Sequence, residues 1–158
     1  PFFITKSTGK KIELVHQPHE NYGIGGSFTL VDGMKGNTSK FGRDWLGFWG
    51  KDMNATIDLG KTEMISKISI NTLLSEGSWI YYPKSIGILV SKEGENYIPI
   101  TIISSKEINE NKGKIVVEFN KQNVQFIKVI AENNGIIADG KPGAGSNSWL
   151  FVDEISVE

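Results

Sequence analysis

Cysteine is absent from this chain, which excludes disulfide bonds, thiol catalysis and thiolate metal sites. Histidine is scarce, since only His16 and His19 occur, both in the stretch VHQPHE. The proline between them predicts an irregular loop and not a helical face that holds a metal. With so few histidines and no thiol, a Ser–His or Cys–His nucleophile has little to draw on. The sequence therefore predicts a domain that is not an enzyme.

An excess of either charge is also lacking. Lys and Arg number 17 against 18 Asp and Glu, which gives a formal net charge of -1. Without a broad basic field, nucleic acid is not expected as a partner. No apolar run approaches membrane-spanning length, so membrane insertion is not expected. A length of 158 residues suits one domain with a core that needs no disulfides.

Sustained helical periodicity is the third absence, and short alternating segments take its place. These segments are rich in Ile, Val and Phe and are separated by turns that contain Gly or Asn. They span residues 65–73, 85–91, 96–104, 114–119, 125–132 and 149–158. The apolar positions assigned to the core are Phe126, Ile127, Val129, Phe151, Val152 and Ile155. This spacing predicts one all-β domain over residues 1–158, an antiparallel β-sandwich or jelly roll.

The stretch LVDGMKGNTSKFGRDWLGFWGKD begins with a turn rich in oxygen ligands. Its small and polar residues are Asp32, Gly33, Gly36, Asn37 and Thr38. Such a turn can direct one carboxylate and several backbone carbonyls toward a common point, as Ca²⁺ requires. Alternatively, Asp32 accepts a hydrogen bond from its own loop in an Asx-turn. The residues leave both interpretations open.

The second half of this stretch carries four aromatic residues within nine positions, namely Phe41, Trp45, Phe48 and Trp49. Nearby glycines and charges argue against a buried strand or helix here. Either Trp45 or Phe48 plugs the end of the sandwich, or exposed rings form a flat apolar face beside Arg43 and Asp44. Flat rings beside hydrogen-bonding groups suit a sugar. A protein-binding hot spot uses the same residue types.

The other two tryptophans lie near the starts of predicted strands. Trp79 precedes a strand and a proline, so packing in the core competes with exposure at a loop tip. Trp149 opens the last strand after the glycine-rich loop DGKPGAGSNS. It is expected to form a partly buried wall at the loop end, and ligand contact is left open for it.

Several segments follow one another in an order that resembles a known family. FTLVDGMKGN is followed by ATIDLGK, ISKISI, YYPKSIGILVSKEGENY, FIKVIAEN and LFVDEISVE, from about Lys11 to Val157. This order resembles a discoidin-like domain, the C-type domain of coagulation factors V and VIII, which includes the family-32 carbohydrate-binding modules. LVDG, WLGF, IDLG and PGAGSNSWLFVDEI are similar in particular to the C-terminal module of family-20 β-N-acetylhexosaminidases (chitobiases) of the Bacteroides group.

The resemblance implies a galactose-binding-like jelly roll that binds glycans through loops at one end and carries a structural Ca²⁺. In such modules the Asp of the DG turn and a Glu in the last strand contribute to the metal site. These positions match Asp32 and Glu154, with Asn37 or Thr38 as a further loop ligand. The predicted carbohydrate-binding residues are Arg43, Asp44, Trp45, Trp49, Trp79 and Trp149.

The function implied is that of a non-catalytic accessory module that targets a bacterial β-N-acetylhexosaminidase to glycans. Its expected partners are hexose or N-acetylhexosamine units and the catalytic domain of its own parent chain. The chain begins at Pro1 and is expected to be a C-terminal fragment of that larger, exported glycoside hydrolase (periplasmic, cell-surface or secreted). The alternative is a structural or protein-interaction domain that packs on its parent enzyme and binds no sugar. Exposed rings at Trp45 and Trp49 would favour the first function, and buried rings the second.

Overall fold

The computed structural model describes residues 2–37 and 44–158. In this part of the chain the strands are β1 (Lys11–Leu14), β2 (Leu46–Trp49), β3 (Met53–Thr72), β4 (Ser85–Ser91), β5 (Ile98–Ser104), β6 (Lys114–Glu132) and β7 (Trp149–Val157). The helical elements are α1 (Ser105–Glu110) and three 3₁₀ turns, Glu20–Tyr22, Gly26–Val31 and Glu76–Ser78. None of the described helices is long and apolar enough to cross a membrane. The predicted all-β fold is confirmed.

Two long, bent strands build the sandwich. The strand order is β2-β7-β3-β6-β4-β5, with β1 also paired to β3, and the ladders between named strands are antiparallel. Register shifts interrupt the β3–β6 ladder between Asp58 and Glu63 and between Ile65 and Lys67. Such irregularities bend a strand. The first half of β3 therefore pairs in one layer with β1 and the second half of β6, which also pairs with β4. The second half of β3 pairs in the other layer with β7.

The core lies between these layers and follows the two-residue period of each strand. In β4, Ile86, Ile88 and Val90 are buried and alternate with half-exposed neighbours. In β6, Ile127 and Val129 are fully buried. Phe126 was also assigned to the core, and this is wrong. It is adjacent to Ile127 in the strand, so its side chain points to the opposite, outer face and is only half-buried.

The strand β2 was missed, and the expectation that this segment forms no buried strand is wrong. Leu46–Trp49 pairs with Trp149–Val152 of β7, and its first three residues are buried. Gly47 is compatible with a strand here, because a larger residue would clash with the Phe151 ring. A Cβ at this position would lie 2.7 Å from that ring. The glycine allows the chain to pass close to that ring, and the main-chain bonds to β7 hold the segment extended.

Trp45 belongs to a second, smaller apolar cluster. It is 2% exposed and packs with Leu73, Ile80 and Phe151. Its indole Nε1 donates a hydrogen bond to the Asn37 carbonyl at 3.0 Å. Of the two roles left open for Trp45, the structure shows the buried plug. The expectation of an exposed ring at Trp45 is therefore corrected.

Replacement of Trp45 by alanine is expected to lower the free energy of unfolding by about 3–5 kcal/mol, as for other buried aromatics. Phe28→Ala is the control, because this aromatic side chain is 54% exposed and a surface substitution changes stability by about 0.5 kcal/mol or less. Chemical denaturation of both variants gives the comparison. Equal losses in the two variants would contradict the assignment of Trp45 to the core.

Candidate functional site

Three of the four tryptophans meet at one end of the sandwich. Trp49 ends β2 and Trp149 begins β7, and the two are directly paired across the strands. Cross-strand partners hold their side chains close together, and the two ring centroids lie 4.9 Å apart. Trp79, from the β3–β4 connection, lies nearly parallel to Trp49, with 6.4 Å between centroids and 22° between planes. The structure therefore brings together three of the predicted binding residues.

Two rings from the N-terminal part of the chain complete this group. His19 and Tyr22 meet the Trp149 ring edge-on, with centroid distances of 5.1 and 5.0 Å. The His19 amide donates to the Gly47 carbonyl at 2.8 Å, which fixes this loop to β2. We name the five residues Trp49, Trp79, Trp149, His19 and Tyr22 the aromatic cluster.

His19 and Tyr22 were missed as site residues. His19 was considered only as a metal ligand or catalytic group, and neither role accounts for its position. Its Nδ1 accepts a hydrogen bond from the Asn21 amide at 3.1 Å. In the neutral ring this leaves Nε2 as the donor. The density of ring side chains in HQPHENY, a segment without strand character, was the signal that could have found them.

The backbone holds Trp79 in place while its ring stays accessible. Trp79 has a left-handed φ of 62°, and its carbonyl accepts from the Trp149 amide at 2.8 Å. Gly143 lies against the ring so closely that a Cβ there would be 2.7 Å from it. The Tyr81 hydroxyl donates to the Pro142 carbonyl at 2.8 Å and fastens the same loop. Trp79 is nevertheless 39% exposed, so its ring is both fixed and available to a ligand.

The remaining predicted binding residues lie elsewhere. Trp45 is in the core, at the opposite end of β2 from Trp49. Asp44 is half-buried and immediately precedes it. Arg43 lies outside the described residues, as does Thr38 of the predicted metal site. Asn147, which was not predicted, is exposed and lies against Gly50, where a Cβ would be 2.9 Å from its amide carbon. It therefore places an amide beside the residue that follows Trp49.

The predicted metal-site carboxylates, Asp32 and Glu154, lie near each other at the start of the DG turn. Glu154 is 2% exposed, and its Oε1 accepts from the Gly33 amide at 3.0 Å. Its Oε2 is buried and has no hydrogen-bond partner among residues 2–37 and 44–158. Burial and, after it, the neighbouring Asp32 carboxyl together raise the pKa of Glu154 to about 9. Asp32 also accepts from the Met34 amide at 2.9 Å, so the Asx-turn is present as well.

The donors that this turn offers to a hard cation are oxygen groups. Ca²⁺ takes several oxygens, many of them backbone carbonyls, and one buried Glu154 oxygen has no hydrogen-bond partner among the described residues. Among residues 2–37 and 44–158, no group of three or more His, Cys, Asp or Glu side chains could hold a metal. Further ligands would therefore be main-chain or amide oxygens. The Asn37 carbonyl already accepts from Trp45.

Asp153, the neighbour of Glu154, holds the same loop from another side. It accepts from the Gly36 amide at 3.0 Å and from the amide and side chain of Asn71 at 3.1 Å each. Burial raises the pKa of Asp153 to about 6, against these hydrogen bonds, which lower it. Both carboxylates of β7 therefore anchor the loop that follows Asp32.

Comparison with solved structures shows that this fold is shared with carbohydrate-binding modules. The lectin domain of lectinolysin, solved with Lewis B antigen, has a TM-score of 0.67 at 16% identity, over 100% of this chain and 98% of that one. The Clostridium perfringens module CpGH89CBM32-5, solved with GalNAc-β-1,3-galactose, has a TM-score of 0.64 at 16% identity, over 98% and 99%. Chitosan-binding module 1 of a chitosanase/glucanase from Paenibacillus sp. IK-5 has a TM-score of 0.63 at 11% identity, over 98% of each chain.

The expected galactose-binding-like β-sandwich is confirmed by these neighbours. No protein-family model matches the sequence, and no curated protein matches it.

The raised pKa of Glu154 predicts a pH dependence of stability. The folded state keeps the proton up to about pH 9, whereas the unfolded state releases it near 4.5. Unfolding therefore releases a proton in this window, and the free energy of unfolding falls as the pH rises. The measurement is denaturation in EDTA between pH 7, above the pKa of about 6 of Asp153, and pH 9. Glu154→Gln should reduce the slope. An unchanged slope in this variant would refute the prediction.

Proposed function

We propose that this domain is a non-catalytic module that binds glycans at the aromatic cluster, through terminal hexose or N-acetylhexosamine units. The observation that carries the proposal is the meeting of three tryptophans at one loop end, with the Trp79 ring held in place and 39% exposed. Structural neighbours solved with Lewis B antigen and with GalNAc-β-1,3-galactose support it.

The chemistry of the cluster suits a sugar. A sugar ring has apolar C–H faces that pack on flat aromatic rings and a rim of hydroxyls that needs hydrogen bonds. Trp79 and the half-buried Trp49 supply the flat surface. The His19 ring and the Asn147 amide lie at its border and supply polar groups that can donate and accept.

The burial of Trp45 removes one of the rings that were expected to favour sugar binding. It does not weaken the proposal, because Trp79 and Trp149 take its place beside Trp49. The left-handed Trp79 closes the 3₁₀ turn Glu76–Ser78 through its amide, but this structural role does not require an accessible indole ring. The observations therefore favour glycan binding over the purely structural alternative.

For the biological setting, we propose an accessory module of an exported glycoside hydrolase, a bacterial β-N-acetylhexosaminidase, whose catalytic domain is its covalent partner. The motif resemblance of LVDG, WLGF and PGAGSNSWLFVDEI supports this assignment. A neighbour that derives from a chitosanase/glucanase is consistent with an enzyme-linked role.

We further propose that Asp32 and Glu154 hold a structural Ca²⁺. A divalent cation would compensate the two neighbouring carboxylates and engage the buried Glu154 oxygen, for which the described part of the chain supplies no hydrogen-bond partner. Its contribution would be to keep the Asp32–Asn37 loop ordered.

Removal of one ring of the aromatic cluster should abolish measurable glycan binding. A surface site of this kind is expected to bind with about 4–6 kcal/mol, in the millimolar to high-micromolar range, so few other contacts can compensate for a lost ring. Trp49→Ala and Trp79→Ala are compared with Phe28→Ala in isothermal titration or affinity-gel binding to GalNAc-β-1,3-galactose and chito-oligosaccharides. Thermal melts verify that each variant is folded. Wild-type binding by both folded tryptophan variants would overturn the proposed site.

Chelation is expected to lower the melting temperature, because a ligand that binds only the folded state stabilises it. The test is a thermal melt in EDTA and in millimolar Ca²⁺, for the wild type and for Asp32→Ala. The variant should lose the difference between the two conditions. If the wild type melts at the same temperature in both, the cation proposal is wrong, and glycan binding is judged separately by titration.

A further inference from the structure

A polar cleft lies apart from the aromatic cluster. Its volume is about 540 Å³, and its lining includes Lys35, Lys112 and Lys114, with Asn71, Tyr82 and Asp153 between them. None of the five residues of the aromatic cluster belongs to this lining. We name it the lysine cleft.

The charge of the lysine cleft is unbalanced. Asp153 is the one carboxylate among its described lining residues, and it is fully buried and bonded to backbone and amide groups. In the part of the chain that the structure describes, Lys35, Lys112 and Lys114 form no ion pair. Residues 1 and 38–43, outside that part, include no Asp or Glu. In a chain with a net charge of -1, three lysines facing one carboxylate form a local positive field.

The backbone positions two of these lysines. Gly113, between Lys112 and Lys114, has a φ of 76° and lies so close to Tyr82 that a Cβ would be 2.5 Å from its ring. The Gly113 carbonyl accepts from the Thr72 amide at 2.8 Å and from its hydroxyl at 3.1 Å. Lys112 has a left-handed φ of 53°. The turn that carries both ammonium groups is therefore fixed to β3 before any ligand arrives, which lowers the cost of binding.

Lys35 is placed differently. Its ammonium lies 4.8 Å from the centroid of the Phe3 ring, in a cation–π contact. This contact leaves the charge in place beside the cleft. Lys112 and Lys114 make no such contact in the described structure and are the better probes of the cleft.

The walls of the cleft suit an oligosaccharide. It continues past Leu74 and Tyr82 into an adjoining cleft of about 280 Å³, because the two share these residues. The second cleft adds Ser105, Asn109 and Asn134 to its lining, together with Glu76 and Lys141, which neutralise each other in an ion pair of 3.3 Å. Hydroxyl and amide side chains along an elongated groove match a chain of sugar hydroxyls. Peptide recognition relies more on apolar anchor pockets.

We propose that the lysine cleft is a second glycan-binding site, which takes the carboxylate or sulfate group of an acidic oligosaccharide. It acts independently of the aromatic cluster and extends the proposed function from neutral terminal sugars to anionic chains.

The test is isothermal titration with a chondroitin sulfate tetrasaccharide at about 0.15 M salt, where the Debye length is about 8 Å. Lys112→Gln combined with Lys114→Gln should weaken binding by about five- to tenfold, as expected for the loss of two exposed ion pairs. Lys61→Gln combined with Lys121→Gln is the matched control, since both lysines are exposed and the charge change is the same. This control should stay within about twofold of the wild type, because long-range charge effects are screened by salt.

Titrations with other ligands and with a further variant distinguish between the classes of ligand and between the two sites. Desulfated chondroitin reports the carboxylate alone, a chito-oligosaccharide reports a neutral chain, and poly-glutamate reports an acidic peptide. Trp49→Ala should lose the neutral sugar and keep the acidic one. The proposal is overturned if both lysine pairs lose equal affinity, if poly-glutamate binds as tightly with the same lysine dependence, or if Trp49→Ala abolishes the acidic ligand. Failure of neutral-sugar binding alone would count only against the aromatic cluster.

Discussion

The hydrogen bonds that β7 accepts from the loop after Asp32 are the constraint on which the packing around Trp45 depends. Glu154 receives the amide of Gly33, and Asp153 receives that of Gly36. Both carboxylates are withdrawn from water, where an ionised group without partners would be very costly. The loop therefore has to supply its amides if β7 is to remain buried. Its last described residue, Asn37, then accepts from the Trp45 indole. The buried Trp45 is therefore connected through this loop to Asp153 and Glu154.

The fold could be predicted from the sequence wherever apolar and polar residues alternate regularly along a strand. Ser85–Ser91 was predicted with its observed bounds because its isoleucines and valine face a single core. The predicted segments at 114–119 and 125–132 are one strand, β6, because a bent strand loses its simple alternation at the exposed bend. The strand β2 escaped prediction because its four residues are held by pairing to β7 and not by local propensity.

The sequence predicted several residues of the site, but it did not predict which of them lie together in the fold. Aromatic content singled out Trp49, Trp79 and Trp149, and the structure brings them together. It did not separate Trp45, which precedes β2, from Trp49, which ends it, because Trp45 is covered by Leu73, Ile80 and Phe151 from distant parts of the chain. His19 and Tyr22 reach the cluster through a contact with β2 that no local pattern indicates. Which side chains meet at this end is decided by the register between strands that are distant in the sequence.

The separation of the tryptophans has an optical consequence. Trp45 is buried, while Trp49, Trp79 and Trp149 lie within 6.4 Å of a neighbouring indole at the surface. Rings this close share excited states, so the surface group contributes coupled bands in the near ultraviolet, and quenchers dissolved in water can reach Trp79. The emission of Trp45 follows the integrity of the sandwich. One unlabelled chain thus carries two spectroscopic reporters, one for its interior and one for whatever covers its loops.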